Sequence, residues 1–301
     1  MNAEWAFYVS KAADLSLIQE PFAPAAHPAL RQWERQVKNE LAERCARLPL
    51  TRLYFGQEFC ARLMPDAQEV KQARSIAQER GLGFTLVTPY VNDEQLGAVK
   101  ELLDLLADDE VVVNDYGVLA LLQDYPRLKP VAGRMLEKMI RDPRFAGEEY
   151  ESFFTPGARD LLRSSNITAG GYRRLLSRFR VERVEFDPVP QGFDTEVGNS
   201  GFALSLYVPF GYVSTGRVCV MAALGRDEGE KFKIHLACSR QCRRYYQLMR
   251  RFYAPSLRRG NGARIELLRR GKTVFYLNHL SGRDNYGSFF QRLVYQPVVP
   301  A

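Results

Sequence analysis

Apolar positions recur along this chain in two rhythms that take turns. Short runs with period-two or continuous hydrophobicity mark strands at Trp5–Val9, Arg52–Phe55, Phe84–Val87, Glu110–Val113, Lys129–Ala132, Val181–Phe186 and Phe202–Val208. Two more strands are expected at Arg264–Leu268 and Thr273–Leu277. Helical spacing separates them. A helix is expected around Leu30–Leu48, with Trp33, Val37, Leu41 and Cys45 on one face, and another over Pro65–Arg80. Asn92–Asp93 opens a third, which carries Leu96, Val99, Leu102, Leu103 and Leu106. Further helices are expected at Val118–Asp124, Ala169–Arg180 and Arg240–Tyr253. Only between about residues 134 and 165 does the rhythm break, which marks an insertion or a modified connection.

Strands alternating with helices predict a parallel sheet with crossover helices. About eight core strands predict an α/β fold, a TIM-barrel-like (β/α) barrel that is distorted or incomplete. A single barrel domain over residues 1–301 accommodates the whole chain, with a cysteine-bearing segment at 213–246.

Composition narrows the class. At 46% hydrophobic and 26% charged residues, the chain is an ordinary globular one. No apolar run approaches the ~20 residues of a membrane helix, and the N-terminus has no basic-then-apolar leader pattern. No membrane partner is expected. Five cysteines, an odd number with three crowded together, argue for thiolate chemistry in a reducing cytoplasm and against a disulfide framework. The net charge of +7 is uneven, with eleven Arg and Lys between Arg240 and Lys272. Such a block suits RNA, an anionic small molecule or an acidic partner, or is simply a solvated face. No aromatic-rich RNA strand motif accompanies it, so RNA is the minor reading.

The candidate chemistry lies in VSTGRVCVMAALGRDEGEKFKIHLACSRQCRRYY, residues 213–246. Cys219 follows strand-like alternation, as a buried small hydrophobe would. Cys238 and Cys242 stand instead in a polar, Arg-rich turn. Their spacing puts two sulfurs on one side of a loop or first helical turn, which suits ligation of a soft metal. Barrel chemistry gathers after the C-terminal ends of strands. There the sequence offers Glu58, Cys60, Thr88, Tyr90, Asn114, Asp115, Arg134, Glu185, Asp187, Tyr212 and Arg217. Cys60 can meet the other three thiols across the barrel mouth. Four thiolates make a 4Fe–4S site or a tetrahedral zinc site, and His235 offers zinc a mixed alternative.

Glu185 and Asp187, two apart on one strand, face the same way. Inward, they would handle protons or hold a cation; outward, they would only be solvated. Arg217 brings a guanidinium, which binds carboxylates in a two-pronged fashion. Phosphate-cradling loops, dinucleotide fingerprints, nucleophile elbows and zinc-protease helices are all missing from the sequence.

Several segments together resemble the peptidase U32 (collagenase-like protease) family, and within it the iron–sulfur UbiU/UbiV branch. They are LYFGQEFCAR (Leu53–Arg62), VNDYGV (Val113–Val118), VEF (Val184–Phe186), YVSTGRVC (Tyr212–Cys219) and the closing pair Cys238 and Cys242. The resemblance implies a TIM-barrel-like domain with a 4Fe–4S cluster on Cys60, Cys219, Cys238 and Cys242. It implies work beside a homologous, UbiU-like partner subunit in oxygen-independent hydroxylation of ubiquinone precursors, with a small anionic co-substrate. Glu58, Asn114, Asp115, Glu185, Asp187 and Arg217 would then line the cavity. The Gly-rich, two-cysteine segment of the family's peptidase members is not reproduced, so peptidase activity is the alternative. An RNA-modifying or RNA-binding protein with a structural metal is another.

Overall fold

In the computed structural model, described over residues 3–23, 31–143, 154–233, 236–249, 267–277 and 289–300, eight parallel strands close a barrel. Around the barrel the strands run in the order β1 (Glu4–Val9), β12 (Arg292–Tyr295), β7 (Ala203–Val208), β6 (Arg183–Phe186), β5 (Lys129–Ala132), β4 (Glu110–Val113), β3 (Gly83–Val87) and β2 (Leu50–Gly56). The chain therefore walks round from β1 to β7 and returns at its end to insert β12 between β7 and β1. Strands such as Glu110–Val113 are buried throughout, as parallel strands covered on both sides must be.

Four helices lie close to where the spacing predicts them: α1 (Arg31–Cys45), α2 (Ala67–Glu79), α3 (Asp93–Leu103) and α4 (Tyr116–Leu121). Side-chain hydrogen bonds start two of them. Asp66 pairs reciprocally with Glu69, and the Asn92 N–H donates to the Gln95 side chain (3.2 Å), satisfying donors that the first helical turn leaves open. Among the described residues no helix is long and apolar enough to cross a membrane.

Three expectations need correction. The strand expected at Arg264–Leu268 is observed as β10 (Leu267–Arg270), with residues 264–266 outside the described set. Neither it nor β11 (Thr273–Leu277) joins the barrel. They form a separate antiparallel sheet, ordered β8-β11-β10-β9, with β8 (Phe210–Thr215) and β9 (Gln247–Leu248). The eighth barrel strand is the late segment RLVY, which the sequence reading passed over.

The helix expected at Arg240–Tyr253 is absent over 240–249. Residues Gln241–Arg243 make one tight turn and Gln247–Leu248 pair with β10, so a sheet edge outweighs helical spacing there. Residues 250–253, like most of the basic block, lie outside the described residues.

Polar layers fill the barrel. At the bottom Arg292 bonds Glu110 through both terminal nitrogens (2.7 and 3.2 Å), Glu4 through Nε (2.5 Å) and the Tyr54 hydroxyl (2.7 Å). In the middle Tyr8, Tyr54 and Tyr207 meet edge to face, with centroids 5.8–6.5 Å apart. At the top Arg134 grips Glu58 with Nε (3.0 Å) and Nη2 (2.5 Å), and reaches Asp187 (2.8 Å) and the Phe210 carbonyl (2.9 Å) with Nη1. Arg141 adds a second cation, on Asp187 (2.6 Å) and Glu137. The satellite sheet closes over this layer. Tyr212 of β8 donates its N–H to Asp187 (3.1 Å) and its hydroxyl to the Arg134 carbonyl (3.1 Å). Phe59 packs edge-on against Tyr212 and Phe275, at 5.2 Å each.

Candidate functional site

Four segments converge between the barrel mouth and the satellite sheet, and each brings one wall of a cavity of about 390 Å³. The first leaves β2 at Gly56, whose φ of 133° and close approach to Val87 leave no room for a side chain; a Cβ would stand 2.2 Å from the Val87 carbonyl oxygen. Beyond it Glu58 turns into the barrel and Cys60 turns out to the cavity. The second leaves β8 and reaches Cys219, which caps the short helix α5 (Val220–Ala223) and does not continue the strand, as its alternation suggested. The third carries Cys238 and Cys242, separated by Arg240 in left-handed backbone (φ 56°). The fourth is the β10–β11 turn, where Gly271 (φ 61°) lies against Cys242, with its would-be Cβ 3.7 Å from that sulfur.

All four thiols line this one cavity. Cys60, Cys219 and Cys242 also pack against Leu63 and Met221. Burial pushes the Cys242 thiol up to about 11, the nearby Cys60, Cys219 and Cys238 sulfurs push the same way, and Arg270 opposes them. Burial likewise raises Cys219, against the backbone N–H groups of Ala222 and Met221, while Cys238 and Cys60 add to the rise. The Arg240 N–H donates to Cys238 Sγ at 3.4 Å. Among the described residues no three His, Cys, Asp or Glu side chains draw close enough to hold one metal ion. The fifth cysteine, Cys45, is a buried face residue of α1, as its spacing predicts; burial pushes it up to about 12. His235 lies outside the described residues.

Cations dominate the remaining wall: Arg62, Arg217, Lys233, Arg270 and Lys272, against one carboxylate among the described residues, that of Asp115. Two of them are engaged in holding the wall together. Arg62 donates to the Leu236 carbonyl, and Arg270 donates Nε to the Cys242 carbonyl at 2.8 Å. Lys272 reaches the Tyr90 hydroxyl (2.8 Å) and lies 4.2 Å from that ring's centre. Arg217 is exposed at the rim.

Of the residues singled out from sequence, Tyr90, Asp115 and Arg217 line the cavity with the four cysteines. Asp115 is also the cap of α4, accepting from the N–H groups of Gly117 (2.7 Å) and Val118 (3.3 Å). Asn114 is buried and works as a pin, donating to the Thr88 carbonyl (2.9 Å) and accepting from the Met135 N–H (3.1 Å). Glu185 and Asp187 do face inward together, but both are wholly buried in the barrel and neither reaches the cavity. Arg141 and Glu137 escaped the sequence reading, because the irregular segment that holds them carries no strand-end signal. Lys272 was visible only as one charge in a block.

No protein-family model matches this sequence, and no curated protein matches it. Among solved structures it is similar to that of the U32 peptidase Mk0906, with a TM-score of 0.43 and 12% sequence identity, covering 100% of this chain and 95% of that one.

Proposed function

We propose that this chain is a 4Fe–4S protein that takes part in an oxygen-independent hydroxylation or a related redox modification, of the type that acts on ubiquinone precursors. One observation carries the reading: four of the five cysteines, drawn from distant parts of the sequence, line a single cavity at the C-terminal mouth of a barrel. Cys60, Cys219, Cys238 and Cys242 would hold the cluster, which when bound supplies one-electron transfer. A zinc ion is the weaker fit. Tetrahedral zinc, with Zn–S near 2.3 Å, draws its sulfurs to within ~4 Å of one another. The thiols here ring a cavity without three of them reaching single-ion distance.

The rest of the wall supports an anionic co-substrate. Arg217 and Lys272 present positive charge beside the thiols, and a guanidinium pairs well with a carboxylate. Phe59, under Cys60, separates the cavity from the ion layer of Arg134, which keeps that layer dry. A homologous partner subunit would meet the exposed apolar side chains Val220, Leu224, Phe232 and Tyr245, which lie in the same segments as the cysteines.

The test is anaerobic purification of the full chain, followed by iron, sulfide and zinc analysis. The expected result is brown protein with matched iron and sulfide. Substituting all four cavity cysteines by Ala abolishes both, and Cys45→Ala changes neither. Zinc in place of iron, or iron that survives loss of all four thiols, overturns the reading.

A further inference from the structure

The four thiols are not held alike. The Cys60 carbonyl accepts the Leu63 N–H at 3.0 Å, and the Cys219 carbonyl accepts those of Ala222 and Ala223 at 3.1 Å each. The Cys242 carbonyl accepts Arg270 Nε at 2.8 Å. These three side chains also share the apolar packing of Leu63 and Met221. Cys238 has neither support. Among the described residues no backbone–backbone hydrogen bond ties residues 236–239 to the rest of the fold. The segment hangs instead from two side chains, Arg62 on the Leu236 carbonyl and Arg226 Nη2 on the Ala237 carbonyl (3.0 Å). Its neighbours Ala237, Ser239 and Arg240 are exposed.

Local opening is governed by such differences, since segments with few buried contacts and few backbone bonds open first. From this asymmetry we infer that Cys238 is the exchangeable ligand of the centre, an inference that rests on the cluster reading above. Three packed thiolates retain the cluster while the fourth comes and goes, and its departure frees one position on the cavity side. Release is ligand exchange without redox. The Fe–S bond to Cys238 would break with its electron pair left on sulfur, while an external thiol would supply the replacing pair and its proton would pass to the Cys238 sulfur. The guanidinium clasps of Arg62 and Arg226 set how readily the segment swings out.

Two measurements on the full chain test this. In the first, Cys60→Ala, Cys219→Ala, Cys238→Ala and Cys242→Ala proteins are reconstituted anaerobically and analysed for iron and sulfide. Cys238→Ala is expected to keep most of the wild-type content and the others to lose nearly all of it. In the second, cluster-loaded wild-type protein meets iodoacetamide, and modified peptides are followed by mass spectrometry beside the visible absorbance. Alkylation is expected at Cys238 first, with the absorbance largely retained, and faster in Arg226→Ala protein. Iron-replete wild type whose Cys238→Ala variant empties as fully as Cys242→Ala, or whose thiols are alkylated together as colour is lost, overturns the inference alone. Wild type that takes up no iron overturns the cluster reading, and this inference with it.

Discussion

The Tyr207 hydroxyl donates to Glu185 Oε2 across 2.5 Å in the middle of the barrel, with neither side chain exposed to solvent. The other oxygen of Glu185 has no hydrogen-bond partner among the described residues. Burial pushes this carboxyl from 4.5 up to about 8; the Tyr207 hydrogen bond opposes the rise and the Glu58 charge adds to it. The folded protein therefore keeps a proton that the unfolded chain gives up between those two values. Stability is expected to fall as pH rises through that window, by at most about 1.4 kcal/mol per pH unit from this group. Glu185→Gln cannot ionise. Its melting temperature should lose less between pH 5 and pH 8 than the wild type's, and parallel curves would refute the assignment.

Arg134 is expected to be the costliest single loss in the barrel. It lies 3.8 Å from the ring centre of Tyr207, grips Glu58 with two nitrogens and bonds Asp187 with the third. Glu58 and Asp187 pull its pKa upward against the effect of burial, so it stays charged. Removing one partner of a buried ion pair strands the other charge and costs about 3–5 kcal/mol. Arg134→Met should lower urea-denaturation stability by that order. Arg134→Lys should recover little, because an ammonium cannot reproduce the fork.

The barrel was legible where buried runs stand between sharp punctuation. Glu110–Val113 and Lys129–Ala132 were placed to the residue, because Asn114-Asp115 and Gly133 stop them cleanly. The last barrel strand was missed for the opposite reason. Arg292 faces the lumen and bonds Glu4 and Glu110, so the segment reads as polar until its partners are known. Thr273–Leu277 was found as a strand and placed in the wrong sheet. Period-two alternation looks the same in a barrel and in an antiparallel satellite, and only long-range pairing decides. The cysteines were legible because thiols are few and their positions uneven. The burial of Glu185 and Asp187 beneath Arg134 was not, because it depends on Arg141 and Glu137 arriving from an irregular loop.

Gly56 couples the barrel to the thiol site. Its φ of 133° belongs to a region where side chains cost of order 1–3 kcal/mol, and its would-be Cβ also meets the Val87 carbonyl oxygen at 2.2 Å. Gly56→Ala must push β2 away from β3, and with it Glu58 and Cys60, two and four residues on. Lower thermal stability and reduced iron uptake are expected together. Gly81→Ala is the control: φ there is also positive (66°), but nothing lies within 4 Å of the added carbon. It should cost some stability and leave iron uptake intact.

Peptide hydrolysis is not expected from this site. It requires an activated nucleophile, or a metal with an open position, beside a general base. Glu185 and Asp187 are sealed beneath the satellite sheet and cannot meet a peptide in this conformation. Among the described lining residues only Asp115 brings a carboxylate to the cavity, and one of its oxygens is taken by the Gly117 and Val118 N–H groups. Those hydrogen bonds hold the Asp115 carboxylate at the start of α4 as its cap. The full chain, loaded with iron and sulfide, should leave casein, gelatin and a peptide library uncut. Asp115→Asn should lower stability by roughly the ~1 kcal/mol of a lost cap. Cleavage that depends on the loaded centre and vanishes in Asp115→Asn, while Glu185→Gln still cuts, would place a hydrolytic base on this wall and reverse the choice between the two chemistries.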